Sequence, residues 1–449
     1  MRSRTIRRGG ALLATLALLL AACGSGGDEE ATDEEVPAAD ETDDAAASEE
    51  ETGDDAAADD GEEADEEAPL GSADTDDLVL WVYDEGRIEI LEELGAEFEE
   101  ENGIGLTVQA VDLSELRNQM LLGAEGNGPD VAIIPHDNLG QLVENGVVEP
   151  VDLGDKAGEY LPTSVEGFTY DGQLYGVPLA VENIGFFYNT ELVPTPPATW
   201  DELRQLGADL VASGDADTAV AFPDLTYNAY PLYTSYGGYI FGRDASGAYT
   251  ADDIGMTNDG MVAAMTFVEG LADEGLIDQN VDWEAAHVQF ETGRTPFILT
   301  GPWALGRFQD AGVPYAIGSF PAATAGGEAG APFLGVQGLI VNANSDKVLL
   351  AQAFASEKIA TEDSMQRIFE AEPRPSAWAS VFEQADDPDT QALNAAGTAA
   401  EPMPSLPAMG FVWDAWVDAG TLTITDELTP AEALTQAVEQ IQTQIDENG

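Results

Sequence analysis

Cysteine is almost absent: Cys23 is the one cysteine in 449 residues, which excludes an intrachain disulfide and any zinc site built on cysteines. Histidine is nearly as scarce, with His136 and His287 alone. No Gly-x-Ser-x-Gly, His-Glu-x-x-His or phosphate-binding glycine loop occurs, so the familiar signatures of hydrolases and nucleotide enzymes are missing. Positive charge is also in short supply. Fifteen Lys and Arg stand against 86 Asp and Glu, a formal net charge of -71. That balance repels nucleic-acid phosphates and anionic lipid headgroups and excludes nucleic acid as a partner. It concerns solvent more than fold, since strongly hydrated carboxylates suit a saline surrounding. No internal repeat is present.

Four of the few basic residues, Arg2, Arg4, Arg7 and Arg8, precede the apolar run Ala11 to Ala22. That run is too short to cross roughly 30 Å of hydrocarbon and has the layout of a signal peptide over residues 1–22, using the general secretory route. It ends in Leu20-Ala21-Ala22-Cys23-Gly24, which resembles the lipobox of bacterial lipoproteins. The resemblance implies that Cys23 becomes the first mature residue and carries lipid, anchoring the chain to the outer face of the cell membrane. From Asp28 to Pro69 the chain is dominated by Asp, Glu and Ala and has no Lys, Arg or aromatic residue. Such a segment buries too little apolar surface to offset chain entropy, and its like charges extend it. Residues 23–77 are therefore expected to form a disordered acidic linker.

The remainder, in a chain 44% hydrophobic, supports two or three globular units at about 150 residues each. Leu78 to Tyr83 is a buried-strand pattern, and Ile88, Leu91, Leu94 and Phe98 recur at helical spacing until Gly103. A strand near Leu106 to Val111, a helix from Ser114 with Leu116, Met120 and Leu121 on one face, and a strand Val131 to Ile134 follow. This alternation predicts an α/β domain with a largely parallel sheet, whose ligands gather at the carboxyl ends of the strands. A second βα-type region runs from about Asn183 to Leu334, with a capped helix start at Thr199-Trp200. Its stretch from Phe222 to Phe241 holds more aromatic rings than one core helix needs.

Several stretches in order resemble the maltose and maltodextrin-binding proteins among the family 1 extracellular solute-binding proteins of ABC importers. They are Gly128-Pro129-Asp130-Val131 leading to His136-Asp137-Asn138-Leu139-Gly140; Asp171 to Pro178 running into Ala180-Val181-Glu182; Pro196-Pro197-Ala198-Thr199-Trp200; Thr300-Gly301-Pro302-Trp303-Ala304; Phe333-Leu334-Gly335-Val336; and Met403-Pro404-Ser405-Leu406-Pro407. The resemblance covers the chain from Leu78 onward. It implies an α/β, two-lobed periplasmic-binding-protein-like fold of type II, with hinge segments and a central ligand cleft. The N-terminal lobe is expected at 78–181 plus 338–374 and the C-terminal lobe at 182–337 plus 375–449. Crossings are expected near Ala180 to Ile184, Leu334 to Leu339 and Pro373 to Ala377.

A neutral sugar offers hydroxyls and a flat C–H face, so a receptor needs carboxylates or amides beside aromatic rings. Carried over by position in the matched motifs, Glu85, Asp137 and Glu182 are the expected hydroxyl acceptors. Tyr227, Tyr230, Trp303 and Trp413 are the expected stacking rings, and Met403 lines the same cleft. Glu85 also reads as a surface acid, Asp137 as a helix cap and Trp413 as part of a hydrophobic face with Phe411 and Trp416. The family's Arg after the His-Asp pair is Asn138 here, a Trp is replaced by Ile134, and the Lys after the first strand by Gly86, with Arg87 beside it as a substitute or as a helix-surface charge. These departures leave open maltodextrin, trehalose, sucrose or a longer α-glucan. The resemblance further implies an ABC permease as partner, a monomer, no cofactor, no metal and no catalysis. A glycan hydrolase and a two-lobed metal receptor are the alternatives.

Overall fold

A computed structural model describes residues 77–122, 128–280 and 282–448. The expected signal peptide, Cys23 and the linker up to residue 76 lie outside the described residues.

Strand Leu78–Val82 is buried at every position and lies between Leu106–Ala110 and Val131–Pro135, parallel to both. The intervening helix Ile88–Asn102 turns Ile90, Leu91, Leu94 and Phe98 into the core and stops at Gly103, whose φ of 72° is the left-handed cap a glycine adopts without strain. Helix Leu113–Leu122 buries Leu116 and Met120 against the same sheet. The parallel expectation holds only for these strands. The ten-residue strand Phe333–Asn342 pairs antiparallel with Val131–Pro135 and with Gly176–Glu182, so the first sheet is mixed. The second sheet, Phe297–Thr300, Gly185–Asn189 and Tyr315–Gly318 with Gly185–Asn189 in the middle, is antiparallel throughout. Both differences have one cause: strands that carry the chain between lobes enter each sheet against the direction of its local βα units.

The chain is two-lobed α/β. One core is built on Leu80, Trp81, Leu94, Ile133 and Val341, and separate cores on Phe186, Trp200, Met265 and Trp416 and on Phe187, Phe290 and Phe308. Helix Trp200–Ser213 opens with Thr199 accepting from the Glu202 amide at 3.2 Å while the Glu202 carboxylate accepts from the Ala198 amide, a reciprocal cap.

Three extended segments lie side by side between the lobes. Glu182 ends a strand of the first sheet and Gly185 begins one of the second. Phe333 belongs to the second core while Val336 and Leu339 on the same strand belong to the first. Pro375 and Ala377 hydrogen-bond the Val181 and Leu179 backbones at 2.8 and 3.0 Å. Gly176 and Gly338, on neighbouring strands, both abut the Phe168 ring, where a β-carbon at either would sit 2.5 Å from ring carbons. Only glycine allows the two crossing strands to close over that phenyl. The first core continues through Ala377, Trp378 and Val381, with Trp378 packed edge-on to Tyr160.

Candidate functional site

The turn after Leu78–Val82 brings Tyr83, Asp84 and Arg87 to the carboxyl end of the strand, beside the three crossings. Arg87 is not a surface charge: it is 2% exposed, donates to Gln337 Oε1 at 2.6 Å and pairs with Glu372 at 2.8 Å. Glu85, one residue past Asp84 in the same turn, is exposed.

Glu182, buried at the end of its strand, accepts from Gln337 Nε2 at 2.8 Å and from Arg374 at 3.2 Å. Burial pushes its carboxyl up to about 8, with Arg87 pulling the other way. Arg374 is the organising cation. Its guanidinium meets Glu182, Glu372 at 2.6 Å and Asp84, and its central carbon stands 5.5 Å from the Trp303 ring centre. Thus the three acids that converge here converge on a guanidinium, and among the described residues no group of His, Cys, Asp and Glu is arranged to hold a metal ion.

Asp137 sits in the turn His136–Asn138 after the third strand. It caps no helix; it accepts from the Trp413 indole N–H at 3.0 Å and from Asn138 at 3.3 Å. Burial raises its carboxyl to about 6, opposed first by the Trp413 bond. Since Asp137 belongs to the first lobe and Trp413 to the helix Val412–Ile424 of the second, this bond spans the two. Trp413 also stacks on Trp416 at 6.2 Å, so it both joins a hydrophobic face and reaches the seam. His136 Nδ1 accepts from the Val336 amide and Nε2 donates to the Met403 carbonyl, each at 3.1 Å. His287 Nδ1 donates to the Trp283 carbonyl and Nε2 accepts from Thr300. Both histidines are buried and have both nitrogens engaged, leaving neither free as a base.

Trp303 follows Gly301-Pro302 at the end of strand Phe297–Thr300 and is partly exposed, as is Tyr227. Their ring centres are 6.3 Å apart, and Trp283 lies 5.8 Å beyond Trp303. Burial raises the pKa of the Tyr227 hydroxyl well above its ordinary value, with the negative charges of Glu182 and Asp137 and the Tyr83 hydroxyl pushing the same way. Met403 is buried beside Gly335 on the crossing strand. Tyr230 has one face covered by Phe333 at 3.6 Å and packs edge-on to Trp416. The seam therefore gathers Arg87, Asp137, Glu182, Tyr227, Trp303, Met403 and Trp413, while Glu85 stays in solvent and Tyr230 packs on Phe333. Sequence reasoning passed over Tyr83, Asp84, Gln337, Glu372, Arg374 and Trp283. The one available signal was an arginine between two prolines at an expected crossing, in a chain with few arginines.

The family model for bacterial extracellular solute-binding proteins matches residues 93–398. The chain belongs to the bacterial extracellular solute-binding proteins. Among curated members, the maltooligosaccharide ABC transporter solute-binding lipoprotein of Streptococcus pneumoniae R6 is 30% identical over 78% of this chain and 84% of its own length. The galactooligosaccharide-binding protein of Bacillus subtilis is 29% identical over 82% and 89%. The maltodextrin-binding protein MdxE of the same organism is 28% identical over 72% and 80%. All three names describe oligosaccharide binding, and the first also names an ABC transporter. Among the described residues no helix is long and apolar enough to cross a membrane.

Proposed function

We propose that this chain is the oligosaccharide receptor of an ABC importer, that it captures a neutral glucan-type oligosaccharide between its lobes without chemical change, and that it hands the sugar to a membrane permease. The observation that carries this reading is the pairing of two buried carboxylates, Glu182 and Asp137, with the partly exposed rings of Tyr227 and Trp303 at one seam. Carboxylates accept hydroxyl hydrogen bonds and rings cover the apolar sugar face, whereas a hydrolase would need a proton-transferring pair free of structural partners. Here Glu182 is tied to Arg374 and Gln337, and Asp137 to Trp413. Arg87 and Met403 complete the wall, and the chain acts as a monomer. A galactooligosaccharide is the second sugar worth testing, since one relative carries that name.

A thermal-shift screen with maltotriose, a galactooligosaccharide, trehalose and sucrose ranks the sugars, because a ligand selective for the folded state raises its melting temperature. Maltotriose is expected to give the largest rise; calcium stabilising more than any sugar would reverse the reading. The receptor works at the membrane through lipid on Cys23. Cys23→Ala is expected to move the protein from the membrane fraction to the soluble fraction, and unchanged retention would remove the anchor.

A further inference from the structure

Five ionisable side chains meet where the three crossings run side by side: Asp84 and Arg87 from the turn after the first strand, Glu182 from the first crossing, and Glu372 and Arg374 from the third. Gln337 of the second crossing joins them, donating to Glu182 and to the Tyr83 hydroxyl while accepting from Arg87. One network thus ties together every segment that links the lobes. Its charges do not balance. Three carboxyls face two guanidiniums, and among the described residues no other ion pair reaches these three acids. Glu182, Arg87 and Arg374 are buried, while the Glu372 and Asp84 side chains keep only 12% and 23% of their surface, so water does little to screen the surplus. A buried charge without a counter-charge is costly, and a carboxyl in that position takes up a proton instead. The recess lined by Arg87, Glu372 and Arg374 has no room for a water molecule, so no counter-ion fits in it.

The cluster is covered from the second lobe. The Trp303 ring centre stands 5.5 Å from the Arg374 guanidinium carbon, and a β-carbon on Gly335 would lie 3.5 Å from both the Glu182 carbonyl oxygen and the Tyr227 hydroxyl. Parting the lobes takes these rings away and lets water reach the carboxyls. Resting on the receptor reading above, in which the lobes part to admit a sugar, we propose that the five-group cluster is a proton-held latch: one proton shared among its three carboxyls keeps the shut seam neutral, and loss of that proton to solvent opens the lobes. The proton belongs to the cluster as a whole, with Glu182, the most deeply buried of the three acids, as its main holder. Burial raises the Glu182 carboxyl from an ordinary 4.5 to about 8, against the pull of Arg87 and with the push of Glu372, and burial raises Glu372 as well. Tyr83 and Tyr227 are the other titratable groups facing Glu182; burial raises both hydroxyls, so they keep their protons. A carboxyl raised in the shut form stabilises that form below the ordinary value and loses the contribution as pH rises through about 8.

Small-angle scattering of the unliganded protein between pH 7 and pH 9.5 tests the latch. Ordinary carboxyls titrate near about 4 and lysines near about 10, and Asp137 titrates at about 6, so general repulsion in this acidic chain changes little across that range. The radius of gyration is expected to stay constant up to pH 7.5 and to rise as pH passes about 8, with the far-ultraviolet circular dichroism unchanged. Glu372→Gln leaves two acids against two arginines, and Glu182→Gln fixes the uncharged form at the main holder; each is expected to keep its radius constant to pH 9.5. A wild-type radius indifferent to pH would overturn the latch, a result readable even where a variant fails to fold. A rise in both variants equal to that of the wild type would overturn it too. Calorimetry with maltotriose at pH 7 tests the receptor reading separately: absence of binding overturns that reading, while the scattering, which uses no sugar, still decides the latch.

Discussion

Replacing Trp303 with alanine is expected to weaken maltotriose binding at least tenfold, about 1.4 kcal/mol, in a calorimetric titration, while the melting temperature falls little. The reasoning rests on where the indole stands. Trp303 is partly exposed at the seam, within ring contact of Tyr227 and Trp283, so its removal takes away ligand-facing surface more than core. Trp416 supplies the contrast: it is fully buried between Tyr230 and Tyr233, and Trp416→Ala belongs to the class of core truncations that cost about 3–5 kcal/mol. A Trp303→Ala protein with normal affinity would remove the indole from the site. One that melts as early as Trp416→Ala would make it a packing residue.

Asp137→Asn is expected to separate function from stability. In the folded protein burial raises the Asp137 carboxyl to about 6 from an ordinary 3.8. A raised carboxyl means that the folded state binds the proton more tightly than the unfolded one. The associated stability is present below about 4 and is lost as pH rises through about 6. Asparagine carries no charge to bury and can still accept from the Trp413 indole, so at pH 8 the variant is expected to be more stable than wild type, by on the order of 1–3 kcal/mol. Urea unfolding at pH 8 and pH 4 checks this, the gain shrinking towards pH 4 as the wild-type carboxyl takes up its proton. Sugar affinity at pH 8 is expected to fall over the same substitution because a charged acceptor is replaced by a neutral one. Equal stability of the two proteins at pH 8 would show that the carboxylate is solvated and not at the seam.

Much of the fold was legible because burial imposes a period. Leu91, Leu94 and Phe98 face the core at helical spacing and Gly103 ends the turn, as their order requires. The reciprocal cap at Thr199 and Glu202 was equally local. What was not legible depends on partners far along the chain. Nothing near Arg87 announces that Gln337 and Glu372 bury it, and nothing near Arg374 announces Asp84, Glu182 and Trp303. Sheet direction escaped for the same reason: Gly176–Glu182 and Phe333–Asn342 have strand composition, but their antiparallel pairing follows from crossing between lobes. Asp137 stood at a motif whose meaning was open between cap and ligand group, and its bond to Trp413, which comes from the other lobe, excludes the cap. Tyr230 sat among rings of which only Tyr227 reaches Trp303.

The most direct measurement is a calorimetric titration of the wild-type protein with maltotriose. Saturable binding of one sugar per chain, near micromolar or about -8 kcal/mol, with the trisaccharide recovered intact, is the result expected of a seam that grips hydroxyls and covers a pyranose. No heat of binding with any of the four sugars, or recovery of glucose and maltose in its place, would contradict it.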